Sequence, residues 1–179
     1  RHADALPWLE QALEINGSDI DTRLKYGNTL ITTGAPKKAA QAFEGVLRRD
    51  ADSLDGMLGM ADAAAALKLH DQAEKMLTIA ISKHPQSPRG HYQLGLLHAG
   101  QQQFEAAAAD FTAALEVAPD YLEARYNLGN ARRDSGQLED ALQTYKELVA
   151  QRPEHFRAWY NSARILSQLQ RFEAAERCA

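Results

Sequence analysis

Apolar residues recur along this chain at helical spacing, in short stripes separated by polar breaks. The stretch from Pro88 to Tyr121 shows the pattern well. His91, Leu94, Gly95 and His98 fall at i, i+3, i+4 and i+7, which places them on one face of a first helix. Phe104, Ala107, Ala108, Phe111, Ala114 and Leu115 form a second stripe after a short break, on a second helix. The spacing thus predicts two amphipathic helices joined by a turn. Small residues at Gly95 and Ala107 let the two backbones approach closely. Pro119 stops the second helix, and Asp120 is expected to cap the next one. Ser87-Pro88 reads as an N-cap followed by proline at the first helical position. Gly34 and Gly136 suit the left-handed C-cap that ends a first helix.

The same pattern returns every 34 residues without a slip. Alanine recurs at Ala5, Ala39, Ala73, Ala107, Ala141 and Ala175. A large apolar residue follows in phase at Leu9, Phe43, Leu77, Phe111 and Tyr145, and proline at Pro85, Pro119 and Pro153. Tyr126-Asn127-Leu128-Gly129 is echoed by Tyr92-Gln93-Leu94-Gly95 and by Tyr160-Asn161-Ser162-Ala163. One helix pair cannot bury its own stripe, so neighbouring pairs must stack.

These markers resemble the tetratricopeptide repeat, whose 34 residues carry a tryptophan, Leu-Gly, a tyrosine, an alanine, an aromatic, a second alanine and a proline at fixed places. Trp159, Leu128-Gly129, Leu94-Gly95 and the alanine and proline series occupy those places. Met60-Ala61 and Ser162-Ala163 depart from Leu-Gly, and Arg23, Met57, His91 and Arg125 stand in the tryptophan slot. The resemblance covers the whole chain. It implies an all-α, right-handed superhelical solenoid of antiparallel helix pairs. Four complete units are expected at 20–53, 54–87, 88–121 and 122–155. Residues 1–19 then supply only a second helix, and residues 156–179 a first helix with a truncated second one. A chain opening on Arg1, with both ends inside a repeat, reads as a fragment of a longer array or multidomain protein. Phe172 and Ala175 would face a missing neighbour, so end-to-end self-association is an expected option.

Composition adds constraints on function. The chain of 179 residues has a formal net charge of −4, with 45% hydrophobic and 25% charged residues. Without a clustered basic face it has no electrostatic footprint for nucleic acid. There is no apolar run long enough to span a membrane, so no membrane insertion is expected. The single cysteine, Cys178, cannot form an internal disulfide and has no phased histidine base beside it. His91 and His98 lie seven apart rather than four, and both fall on packing slots, so a metal role is not expected. No phosphate loop, catalytic constellation or cofactor motif is visible. An enzyme is not expected, and the location stays open, with a soluble, cytoplasmic one favoured.

The resemblance implies that positions two, five, six, nine, twelve and thirteen of each unit face a concave groove formed by the first helices. Position five gives Leu24, Leu58, Tyr92, Tyr126 and Tyr160; position six gives Lys25, Gly59, Gln93, Asn127 and Asn161. Position nine adds Asn130 and Arg164, and position twelve Arg133. The expected peptide-binding groove is therefore Tyr92, Gln93, Tyr126, Asn127, Asn130, Arg133, Tyr160, Asn161 and Arg164, with Asn127 and Asn161 gripping a peptide backbone through their carboxamides. The carboxylate clamp of chaperone-tail binders is not expected, because Tyr126 replaces its lysine. The asparagine ladder of O-GlcNAc transferases is partly matched by Asn127 and Asn161. The implied function is a protein-interaction scaffold for a peptide or partner segment. The alternative is the substrate-recognition arm of a larger enzyme such as an O-GlcNAc-type glycosyltransferase, or a self-stacking assembly protein.

Overall fold

The computed structural model describes the backbone of residues 2–176 and the side chains of residues 4–170. Its ten helices are α1 (His2–Ile15), α2 (Ile20–Thr32), α3 (Pro36–Leu47), α4 (Leu54–Ala66), α5 (His70–Lys83), α6 (Pro88–Gly100), α7 (Phe104–Val117), α8 (Leu122–Asp134), α9 (Leu138–Gln151) and α10 (Phe156–Glu176). They form two compact units, Arg1–Pro85 and Gln86–Ala179. In each unit every helix packs on the next in sequence: α1 through α5 in the first, α6 through α10 in the second. Among the described residues there is no strand, and no helix is long and apolar enough to cross a membrane.

The alanine series marks the tightest contacts. Ala39 and Ala107 are fully buried, as is Ala141. Four residues further on, a ring fills the interior against a glycine of the first helix. A Cβ on Gly95 would sit 2.7 Å from Phe111, and one on Gly129 would sit 2.5 Å from Tyr145. Gly27 stands in the same relation to Phe43. Where the first-helix slot holds Ala61, the second-helix slot holds the slimmer Leu77. Where this first-helix slot holds glycine, the second-helix slot therefore holds a ring that fits it by shape.

The turns between paired helices need one residue in the left-handed region. Gly34 (φ 79°) and Gly136 (φ 86°) supply it, as their sequence suggests. Lys68 (φ 62°) and Gln102 (φ 61°) hold the same slot without that freedom.

Two local expectations are corrected. Asp120 is not the cap of α8. The last slot of each unit is the cap, and it holds Asp19, Ser53, Ser87, Tyr121 and His155. Asp19 accepts from the Thr22 N–H at 3.0 Å and Ser53 from the Gly56 N–H at 3.2 Å. His155 Nδ1 accepts from the Ala158 N–H at 3.2 Å. Tyr121 makes no such bond, and its ring packs instead on Tyr92 with centroids 4.9 Å apart. The second correction concerns residues 156–179. In place of a first helix and a truncated second one, α10 runs unbroken from Phe156 to Glu176. The left-handed slot here holds Gln170, and the slot filled by Phe43, Leu77, Phe111 and Tyr145 holds Ala179. Phe172, Ala175 and Cys178 lie outside the residues whose side chains are described.

Candidate functional site

The candidate residues lie on α6, α8 and α10, the first helices of the second unit. Two pairs among them share a repeated relation: a tyrosine hydroxyl on one helix accepts from an asparagine amide 35 residues later. Asn127 Nδ2 donates to the Tyr92 hydroxyl at 3.0 Å, and Asn161 Nδ2 to the Tyr126 hydroxyl at 3.4 Å. The tyrosine rings are themselves packed, Tyr92 on Phe111 at 5.8 Å and Tyr126 on His155 at 5.0 Å. The ladder therefore holds adjacent helices in register as well as lining their surface.

Its two rungs differ because their surroundings differ. Beside Asn127, the slots of the preceding unit hold Phe111 and Leu96, both apolar. Beside Asn161 they hold Tyr145 and Asn130, both polar. Tyr145 donates its hydroxyl proton to Asn130 Oδ1 at 2.8 Å, and Asn161 Nδ2 also reaches Asn130 Oδ1 at 3.2 Å and the Tyr145 oxygen at 3.3 Å. Asn161 is consequently buried, with 6% of its surface exposed. Its amide N–H groups face three internal acceptors, although the residue also lines the cleft beside Asn127. Burial also pushes the Tyr145 hydroxyl up to about 12.

Asn127 is half-buried and less committed. Its amide donates to Tyr92 and its carbonyl accepts from Asn130 Nδ2 at 3.4 Å. A carboxamide has two N–H donors and two lone pairs, so one of each remains for another partner. Asn127, Asn130, Tyr126, Leu96 and Arg133 line a cleft of about 360 Å³. Arg133 continues into a second cleft of about 480 Å³, lined also by Tyr160, Arg164, Ser167 and Gln168. Tyr160 and Arg164 are exposed, the guanidinium 6.0 Å from the ring centre. Arg133 is held by its neighbour: Nε and Nη2 donate to the Asp134 carboxylate at 2.8 and 3.0 Å. That bond raises the guanidinium above its ordinary value.

Of the nine candidate residues, Tyr126, Asn127, Asn130, Arg133 and Asn161 meet at the first cleft and Arg133, Tyr160 and Arg164 at the second. Tyr92 is joined to them through Asn127, while Gln93 is half-buried and lines neither cleft. Asp134 and Gln168 were missed as individual residues, although both stand at position thirteen, one of the groove-facing places. On the other face of α6, His98 Nδ1 pairs with Asp110 Oδ2 at 2.6 Å, while His91 is half-buried. Among the described residues no group of three or more histidine, cysteine, aspartate or glutamate side chains is placed to hold a metal.

Comparison with known proteins agrees with this architecture. Family profiles described as tetratricopeptide repeat match residues 92–152 and 126–177, and another of the same description matches residues 32–97. No curated protein matches. Among solved structures, TTC0263, a thermophilic TPR protein of Thermus thermophilus, is 25% identical with a TM-score of 0.79 over 93% of this chain and 91% of its own. MamA is 18% identical, with a TM-score of 0.68 over 87% and 91%. YrrB, described as a TPR protein with an unusual peptide-binding site, is 21% identical, with a TM-score of 0.63 over 90% and 84%.

Proposed function

The chain belongs to the tetratricopeptide-repeat family, and from that premise we propose that the paired clefts on α6, α8 and α10 bind an extended peptide segment of a protein partner. Proteins of this type are generally protein–protein interaction scaffolds. The observation that carries the finer reading is the half-committed carboxamide of Asn127 at the floor of a cleft whose neighbour is rimmed by exposed Tyr160 and Arg164.

Packed helices sit roughly 8–10 Å apart, and an extended chain advances about 3.3 Å per residue. A peptide crossing from the first cleft to the second thus meets a new helix at about every third residue. Asn127 offers a donor and an acceptor to one peptide unit, whatever its side chain. Tyr160 adds flat contact area at small entropic cost, and Arg164 favours an acidic side chain beside it. Asn161 acts beneath the surface by holding Tyr126 and Asn130 in place. A few net hydrogen bonds at about 1 kcal/mol each give a dissociation constant on the order of micromolar.

The test is selection of peptides from a random displayed library on the purified chain, followed by titration against single variants. Asn127→Ala and Arg164→Ala are expected to weaken the selected peptides about tenfold. Equal affinity for the parent chain and both variants would place the binding surface elsewhere.

A further inference from the structure

A leucine stands out on α6. Position nine of a unit is polar everywhere else in the chain, held by Asn28, Asp62, Asn130 and Arg164, and the unit at 88–121 puts Leu96 there. Leu96 is 43% exposed, so the packing of the helices does not call for it. One turn further along the groove face stands Ala99, and position seventeen, at the start of α7, holds Phe104. Both are half-buried. All three line the first cleft, opposite Asn127, Asn130 and Arg133. They sit on α6 and α7, which pack on each other, and α7 packs in turn on α8. The exposure of Leu96 is therefore that of the groove and not of an uncovered packing face.

This cleft of about 360 Å³ is thus divided by chemistry. Its α6–α7 side is apolar, and its α8 side carries carboxamides and a guanidinium. One unit on, Asn130 and Arg133 take the places of Leu96 and Ala99, so the division is not repeated there. An extended chain sends its backbone amides and its side chains in different directions. One peptide residue can therefore present its amide to Asn127 and its side chain to Leu96, Ala99 and Phe104. A polar side chain placed there would give up water without gaining a partner. An aliphatic one gains by leaving water.

We propose that Leu96 sets the specificity of this groove: the peptide residue whose backbone meets Asn127 carries an aliphatic side chain, seated against Leu96, Ala99 and Phe104. The proposal rests on the groove reading above and adds to it the class of ligand, an extended segment with one aliphatic anchor. Leu96 supplies the apolar contact that position nine lacks in the other units. Ala99 leaves depth for the anchor, where Ile31 fills the same place on α2.

The experiment is selection from a displayed library of random linear peptides on the parent chain and on its Leu96→Arg and Ala99→Ile variants. Each substitution installs a residue that the same place holds elsewhere, Arg164 and Ile31, so each variant keeps its fold, as circular dichroism will verify. Peptides selected on the parent are expected to share one aliphatic position, whose replacement by alanine weakens binding about tenfold. Leu96→Arg is expected to move that position to acidic residues, and Ala99→Ile to alanine or glycine. Peptides that lose affinity on Asn127→Ala yet show one and the same anchor preference on the parent and both variants overturn this proposal and leave the groove reading standing. Peptides indifferent to both Asn127→Ala and Arg164→Ala, or a library from which nothing is enriched, overturn the two together. Aliphatic positions at helical spacing, with a helical dichroism signal from the bound peptide, make the occupant a helix and overturn the proposal.

Discussion

Gly59 of α4 lies so close to the ring of Phe43 on α3 that a Cβ on it would sit 2.3 Å from the ring carbon Cε1. A Cβ on Gly27 of α2 would sit 2.7 Å from the same ring carbon. Phe43 is fully buried and has nowhere to swing. One ring thus locks three helices of the first unit, and two glycines are what let it fit.

Gly59→Ala is accordingly expected to destabilise the chain by about 1–3 kcal/mol through overpacking, despite the gain of up to about 1 kcal/mol in helix propensity. In a Phe43→Leu background the clash is relieved and the propensity gain should emerge. Chemical denaturation of the four members of this cycle measures the coupling. Additive effects would mean that ring and glycine do not meet.

Asn161→Ala is expected to cost about 1–3 kcal/mol, because it strips hydrogen-bond partners from Tyr126, Asn130 and Tyr145 in a buried setting. Asn127→Ala, at a half-buried site with fewer bonds, should cost less while abolishing more of the peptide affinity. Denaturation midpoints and peptide titrations on the two variants should therefore rank in opposite orders.

The left-handed turn slot separates residues that fit it from residues that do not. Gly34→Ala and Gly136→Ala are expected to lose about 1 kcal/mol each. Lys68→Gly and Gln102→Gly should gain up to about 1 kcal/mol, since a side chain in that region costs roughly 1–2 kcal/mol. Thermal midpoints read both signs.

Alkaline stability follows from Tyr145. Its folded value of about 12 stands above the ordinary tyrosine value near 10. A raised folded value means the contribution is complete below about pH 10 and is lost as pH rises through about 12. Tyr26, pushed up to about 12 by burial and by its bond to Glu10, adds a loss of the same sign in the first unit. Tyr145→Phe removes the ionisation, so its stability should decline less steeply across that window than the parent's, as denaturation at a series of pH values would record.

Much of this was legible in the sequence because repetition exposes geometry. Ala39, Ala107 and Ala141 recur where helices touch, and Gly34 and Gly136 recur where the chain turns. Lys68 and Gln102 adopt the same turn without announcing it, because the neighbouring helices impose a conformation their residue type disfavours. The cap was read one residue early at Asp120, although Ser53 and Ser87 mark the true slot in phase. Asn127 and Asn161 share a slot and a residue type, yet one is half-exposed and the other buried. The difference lies in Leu96 and Phe111 against Asn130 and Tyr145, four side chains on other turns and helices whose joint effect no single slot reveals. The unbroken α10 was hidden for a similar reason: whether a turn forms at Gln170 depends on the packing of the helix that follows it.

The central claim is that Asn127, and not Asn161, meets the ligand in the clefts of α6, α8 and α10. It is tested most directly by following the asparagine side-chain amide signals in a ¹⁵N-labelled chain by NMR during titration with a selected peptide. The Asn127 amide is expected to shift with the peptide while the Asn161 amide holds close to its free position. A saturating peptide that leaves Asn127 unmoved, with the shifts gathered on α7 and α9 instead, would contradict the account.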